Sequence, residues 1–298
     1  MGNTIASVET HAGGDVKDRL AAAIAQMREL PASAPTVHKA LKLMDNTDFA
    51  IADLKRILMG DQAVAARILR LANSAYFGFR SDVQTVSQAV VLLGEKRVRT
   101  LLQRLLTDKL WLDLAHGRSA AAPLRRLSLA TATAACTLSQ LLAREDAEEL
   151  LLAGLLHNIG DLVFLAKFPA EYDRLCQLAL TRPRSEVEED VFGISSGRAG
   201  RLLLETWDFP LLYAAVVEHC DNPLSRDCPW EFAPATAYIH AAKKLAEGLI
   251  GGLDVSEAVQ RVSPDVCSTF QLESDLLAEV FQCLPERMSL EQLQAGRS

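Results

Sequence analysis

Apolar residues recur along this chain at three- and four-residue intervals, and no stretch alternates strictly between apolar and polar positions. Leu20, Ile24 and Met27 share one face of a helix predicted over Asp15 to Leu30, closed by Pro31-Ala32-Ser33-Ala34-Pro35. Short helices are expected over Thr36–Met44 and Ile51–Met59, the second carrying Leu54, Ile57 and Leu58 on one side. Asp61 is placed to cap the next, whose apolar set Val64, Ala65, Ile68, Leu69 and Leu71 leads to Asn73 and Ser74 and then to an aromatic turn, Tyr76-Phe77-Gly78-Phe79. Leu69 and Leu71 are expected in the core, and Asn73 and Ser74 at a helix end where their side chains bond free backbone groups. A helix over Thr85–Leu93 is broken by Gly94 and followed by a longer amphipathic one over Lys96–Leu114.

Helices then follow over Pro123–Leu142, from Asp146 to His157, and over Pro169–Leu180, Ser195–Trp207, Leu211–Cys220 and Phe232–Ile250, with three short terminal pieces. The pattern predicts an all-α fold of layered helices with no internal repeat. Residues 1–14 are expected to form a flexible tail, 15–250 one domain whose N-terminal half ends near 118, and 251–298 a C-terminal helical extension.

The chain centres on Leu150 to Phe164, LLLAGLLHNIGDLVF, where a helical apolar run meets the His157-Asn158 pair and then Gly160, a residue type that lets a helix stop in a left-handed turn. A histidine followed by aspartate at such a point is a metal-binding device, since both side chains ligate divalent cations that activate water against a phosphoester. Asn158 keeps the shape but removes the charge, so two readings stand: a weakened metal position, or a buried histidine hydrogen-bonded within the core.

Composition narrows the field. With 31 Lys and Arg against 38 Asp and Glu, the net charge of −7 argues against a dominant nucleic-acid surface. The six cysteines form no CxxC pair and read as reduced thiols, which suits a cytoplasmic protein. No uninterrupted apolar run reaches the ~18 residues of a membrane span, and no basic-then-apolar leader opens the chain. No nucleophile triad, Walker loop or Gly-rich dinucleotide turn is present. Lys96, Arg97, Arg99 and Arg104, with Arg118, Arg125 and Arg126 after them, could hold a phosphate-bearing ligand or form a solvated face. Glu148, Glu149, Glu186, Glu188, Glu189 and Asp190 are expected to be solvated.

Several stretches together resemble the HDOD family, the HD-related output domains of bacterial signalling proteins. They are Leu69-Arg70-Leu71-Ala72-Asn73-Ser74-Ala75-Tyr76-Phe77-Gly78, Val83 to Ala89, Leu92-Leu93-Gly94, Leu101-Leu102, Ala153-Gly154-Leu155-Leu156-His157-Asn158-Ile159-Gly160 and Leu202-Leu203-Leu204-Glu205-Thr206-Trp207, with a proline-containing start at Leu30-Pro31 to Pro35. The similarity covers most of residues 16 to 250.

The resemblance implies a relation to metal-dependent HD phosphohydrolases, and the chain departs from their pattern at most ligand positions. Leu127 stands where the first metal-binding histidine would fall, Asn158 replaces the aspartate of the His-Asp pair, Ser196 replaces a further histidine, and Lys243 occupies the late aspartate's position. Asp161 stands where many HD enzymes carry lysine. His157 and His219 are left as plausible ligands, with Cys220 and His240 close in the pattern, short of the three or four ligands a zinc site needs. His219 and Cys220 could face one ion only if their helix ends there, which Asp221-Asn222-Pro223 allows.

The expectation is therefore a non-catalytic signalling module without metal or cofactor, whose residual pocket comprises His157, Asn158, Asp161, Ser196, His219, Cys220 and Lys243. Its partners are expected to be signalling proteins or a nucleotide second messenger; no receiver or cyclase sequence adjoins it, so its input is expected in trans. The alternative is a phosphohydrolase with a remodelled metal site on His157 and His219.

Overall fold

The structure, a computed structural model, describes residues 16–25, 27, 35–46, 48–73, 83–115, 118, 120–144, 146–207 and 209–295. Helix α1 spans residues 16–25, followed by α2 (Pro35–Met44), α3 (Ile51–Met59), α4 (Gln62–Ala72), α5 (Val86–Ala115), α6 (Ala121–Leu141), α7 (Ala147–Leu156) and α8 (Ile159–Lys167). Then come α9 (Pro169–Leu178), α10 (Arg184–Phe192), α11 (Ser196–Thr206), α12 (Leu211–His219), α13 (Ala233–Ile250), α14 (Val255–Gln260), α15 (Pro264–Phe270) and α16 (Ser274–Ala295). The fold is all-α, with no strand among the described residues. The N-terminal tail, the Pro31–Ala34 stop, Ser74 and the aromatic turn lie outside the described residues.

The chain forms two compact units, one of Met1–Glu29 with Leu114–Met288 and one of Leu30–Asp113 with the last ten residues, Ser289–Ser298. In the smaller unit, α3 buries Leu54 and Leu58, and Asp61 accepts the Val64 amide at 3.1 Å as the expected cap of α4. Asn73 bridges the end of α4 to the next segment: its Nδ2 donates to the Val83 carbonyl at 2.8 Å and its Oδ1 accepts the Val83 amide at 2.6 Å. Leu69 is half-buried rather than core, because Ile68 takes the inward position, and the Leu71 side chain lies outside the described atoms. Thr85 and Gln88 cap α5 reciprocally, with Gln88 N–H donating to Thr85 Oγ1 and Gln88 Oε1 accepting from the Gln84 and Thr85 amides. Gly94 kinks α5 at φ 73°, a left-handed value favouring glycine, so the predicted break becomes a bend between two helical runs.

The larger unit is built around α7, on which every residue from Leu150 to Leu156 is buried. Small residues on α6 let α7 come close: a Cβ on Gly154 would stand 2.5 Å from Ala132 Cα. Together α7 and α8 have the length and apolarity of a membrane span, but 89% of that window is buried in the fold. Phe164 stacks on Phe192 at 3.8 Å, fixing α8 against α10, and Trp207 Nε1 donates to the Met27 carbonyl at 2.7 Å.

Gly160 does not end a helix in a left-handed turn. It lies inside α8 because a Cβ there would stand 1.8 Å from the Ser196 carbonyl oxygen, so its role is close approach to α11. Of the three terminal pieces, α14 and α15 are short, with six and seven residues, whereas α16 runs for 22.

Candidate functional site

His157 and Asn158 form the turn between α7 and α8, both buried. His157 Nδ1 lies 2.7 Å from the Gly154 carbonyl, which can only accept, so Nδ1 carries the proton and Nε2 presents a lone pair. Asn158 Nδ2 donates to the Leu124 carbonyl at 2.9 Å, which leaves Oδ1 as an acceptor. On α13, His240 Nδ1 lies 2.8 Å from the Cys220 carbonyl, which fixes the same tautomer. His157 Nε2, Asn158 Oδ1 and His240 Nε2 are all buried without a hydrogen-bond partner in the protein.

Lys243, on α13 one turn beyond His240, donates to Asp221 Oδ1 at 2.6 Å. Burial and the Lys243 ammonium together push the His157 imidazole down to about 4, so it is neutral at physiological pH. Burial lowers His240 as well, against its bond to the Cys220 carbonyl. Burial works against the Lys243 charge, but Cys220 and Asp221 outweigh it and raise the ammonium above its ordinary range. Burial would raise Asp221, yet Lys243 holds its carboxyl at about 2. The Cys220 thiol is pushed up to about 12 by burial and by Asp221, so it stays protonated.

The other sequence-predicted positions lie in separate clusters. Asp161 pairs with Arg184 and accepts from the Tyr172 hydroxyl at 3.4 Å. Arg184 Nε also donates to Glu188 at 2.8 Å, and Glu188 accepts both the amide and the hydroxyl of Ser196 at 2.9 Å. Glu188 is thus not solvated as expected but 4% exposed, because Ser196 at the start of α11 and Arg184 one turn earlier on α10 supply its bonds. Burial and the nearby Asp161 raise its carboxyl above the ordinary range. Helix α10 and this cluster were missed in sequence; the Arg184–Glu188 spacing of four was the available signal.

His219 ends α12, and its Nε2 lies 3.4 Å from Glu218, which also binds Arg198 at 2.8 Å and Arg201 at 2.5 Å. The helix does end there, but His219 feels Glu218 and Arg201 whereas Cys220 feels Asp221 and Lys243, so the two side chains occupy different surroundings. Leu127 is half-buried and packs against the apolar cluster of Ala130, Ala246 and Met288. In the basic stretch, Arg99 binds Asp45 at 2.7 Å and the Met44 carbonyl, and Arg118 donates to the Ala166 carbonyl at 2.9 Å.

The HD relation implies a metal, and the pocket's residues do not fit one. Lone pairs on His157, His240 and Asn158 suit a cation, but no carboxylate joins them except Asp221, which Lys243 already holds. Among the described residues no group of three His, Cys, Asp or Glu side chains is arranged to hold an ion.

Comparison with known proteins gives a consistent picture. The HDOD domain profile matches residues 30–223. A crystal structure of a Shewanella amazonensis SB2B protein, provisionally named a phosphohydrolase, superposes with a TM-score of 0.67 at 22% identity, covering 91% of this chain and 97% of that one. A Marinobacter aquaeolei VT8 structure, provisionally named a signal transduction protein, gives 0.65 at 21% identity over 95% of this chain and 66% of that one. An uncharacterized Treponema pallidum (strain Nichols) protein is 23% identical over 266 residues, 86% of this chain and 49% of the relative. The chain therefore spans about half the length of that curated relative.

Proposed function

Since this chain belongs to the HDOD family, we propose that it is a non-catalytic signal-transduction module that regulates by binding a signalling protein or a small nucleotide through its helical surface and remodelled pocket. The observation that carries this reading is the Lys243–Asp221 pair, whose ammonium is the charge acting most strongly on His157 and so adds a fixed cation to the surroundings in which hydrolytic chemistry would need a metal and its activated water. Lys243 and Asp221 oppose a second cation by repulsion and by occupation of the nearest carboxylate, respectively. Asp161 and Ser196 are absorbed into the Arg184–Glu188 network and present no free ligand to the pocket. Signalling as the setting is supported by the family and by the name of the Marinobacter relative. The free cysteines, among them the buried Cys136, Cys220 and Cys228, suit a cytoplasmic location.

A second reading, a metal-dependent phosphohydrolase, is favoured by one observation. His157 has the tautomer of a metal ligand, with Nδ1–H anchored on a carbonyl and Nε2 turned inward. Metal analysis of the purified protein separates the two readings. The module retains no stoichiometric metal after dialysis, whereas about one tightly held ion per chain would favour the enzyme.

A further inference from the structure

The first run of α5 buries Val86, Ala89, Val90 and Leu93, spaced three or four residues apart as in any amphipathic helix. Its opposite side departs from that pattern. Val91 and Leu92 turn away from the core and are 68% and 50% exposed, where an amphipathic helix carries polar side chains. Single exposed apolar residues are ordinary, but a pair side by side on the outside of one helix forms a patch of the kind that partners cover.

Cations border this patch. Past the bend at Gly94, Lys96 and Arg97 are exposed on the outer side of the second run, whose Val98, Leu101, Leu102 and Leu105 are buried. Arg99 ties this part of α5 to the end of α2 through Asp45 at 2.7 Å and the Met44 carbonyl. Lys42, exposed one turn before Asp45 on α2, is thereby brought to the same region. Glu95 is the acid among them, and it lies 3.9 Å from Arg99. The charge is also divided unevenly along the chain: residues 30–113, the bulk of the smaller unit, carry 12 Lys and Arg against 8 Asp and Glu, and the rest carries 19 against 30. An acidic partner is therefore repelled by most of the molecule and drawn to the smaller unit. A nucleic acid matches the cations but offers its phosphates nothing to gain from Val91 and Leu92.

We propose that the outer face of α5 at the Gly94 bend, Val91 and Leu92 bordered by Lys42, Lys96 and Arg97, docks an acidic amphipathic helix of a partner protein. The partner's apolar stripe covers the pair, and its carboxylates meet the cations. This rests on the binding-module reading and names the partner's chemistry and the surface it meets.

Fluorescence anisotropy of the full chain with two synthetic amphipathic helices tests it. Both carry leucines along one face; one carries glutamates along the other face and the second carries lysines there. The glutamate helix is expected to bind more tightly and to lose affinity as potassium chloride is raised. Val91→Ser/Leu92→Ser is expected to weaken it on the order of tenfold, and Lys96→Glu/Arg97→Glu to shift the preference to the lysine helix. Leu180→Ser, at an exposed apolar site of the larger unit, is expected to change nothing. Equal affinity for the two helices, or glutamate-helix binding that survives either double variant with a parent-like circular-dichroism melt, overturns the proposal. If one double variant does not fold, the other decides. A parent dimer, seen by light scattering, that Val91→Ser/Leu92→Ser dissociates would make the face a self-association surface and overturn the proposal as well. Failure here leaves the non-catalytic reading standing, since that reading falls on metal retention by the parent.

Discussion

Replacing Gly160 by alanine tests the contact that seats α8 against α11. The added Cβ would lie 1.8 Å from the Ser196 carbonyl oxygen, 2.7 Å from its carbon and 2.9 Å from the Gly200 nitrogen. All three are backbone atoms, so no side chain can rotate aside. Ordinary non-bonded separations are roughly 3.5 Å, so the helices must part by somewhat over ~1 Å. Alanine gains up to ~1 kcal/mol over glycine in a helix interior. Overpacking costs ~1–3 kcal/mol where neighbours adjust and more where they cannot, which leaves a net loss of about 2 kcal/mol. For a unit of this size that is a fall in Tm of roughly 4–8 °C. Gly251→Ala is the control, since its Cβ would meet only the Glu247 and Gly248 carbonyls at 3.2 and 3.6 Å and its φ of −77° suits alanine. Thermal melts followed by circular dichroism compare the two. A Gly160→Ala melt matching that of Gly251→Ala would refute the close-approach argument.

Asn73→Ala removes both bonds to Val83 and should destabilise the smaller unit by ~1–2 kcal/mol, read as faster hydrogen exchange at the Val83 amide; unchanged exchange would contradict it. Glu188→Ala leaves the Ser196 amide and Arg184 without their carboxylate, so the urea midpoint should fall by the equivalent of ~3 kcal/mol. His157 carries a pH dependence of defined sign: its folded value of about 4 lies below the ordinary 6.5, so the unfolded chain takes up the proton first as pH falls. The resulting penalty is absent above 6.5 and grows to the order of 3 kcal/mol by pH 4. Urea midpoints should therefore drop more steeply between pH 7 and 4.5 in the parent than in His157→Gln, and parallel slopes would refute the assignment.

Helix positions were legible because burial imposes a period: Leu20, Ile24 and Met27 are all buried as their spacing predicts, and Gly94 breaks the helical geometry where it was expected to. Helix α8 was not separated from the run before it, because Gly160 has the residue type of a stop signal while serving packing. The site was legible in part. His157, Cys220 and Lys243 share one electrostatic neighbourhood, with Asn158 next to His157 bonded instead to the Leu124 carbonyl, whereas Asp161, Ser196 and His219 lie in other clusters. No local pattern reports that Asp221 meets Lys243 22 residues away, or that Glu188 alone among its acidic neighbours turns inward, because tertiary packing decides both.

The central claim, that the remodelled pocket does no hydrolysis, is tested most directly by turnover of bis(p-nitrophenyl) phosphate by the purified protein with added manganese, magnesium or zinc. The account predicts rates equal to those of the metal-only blanks, in the parent and in His157→Ala alike. Metal-dependent turnover by the parent that disappears in His157→Ala would contradict it.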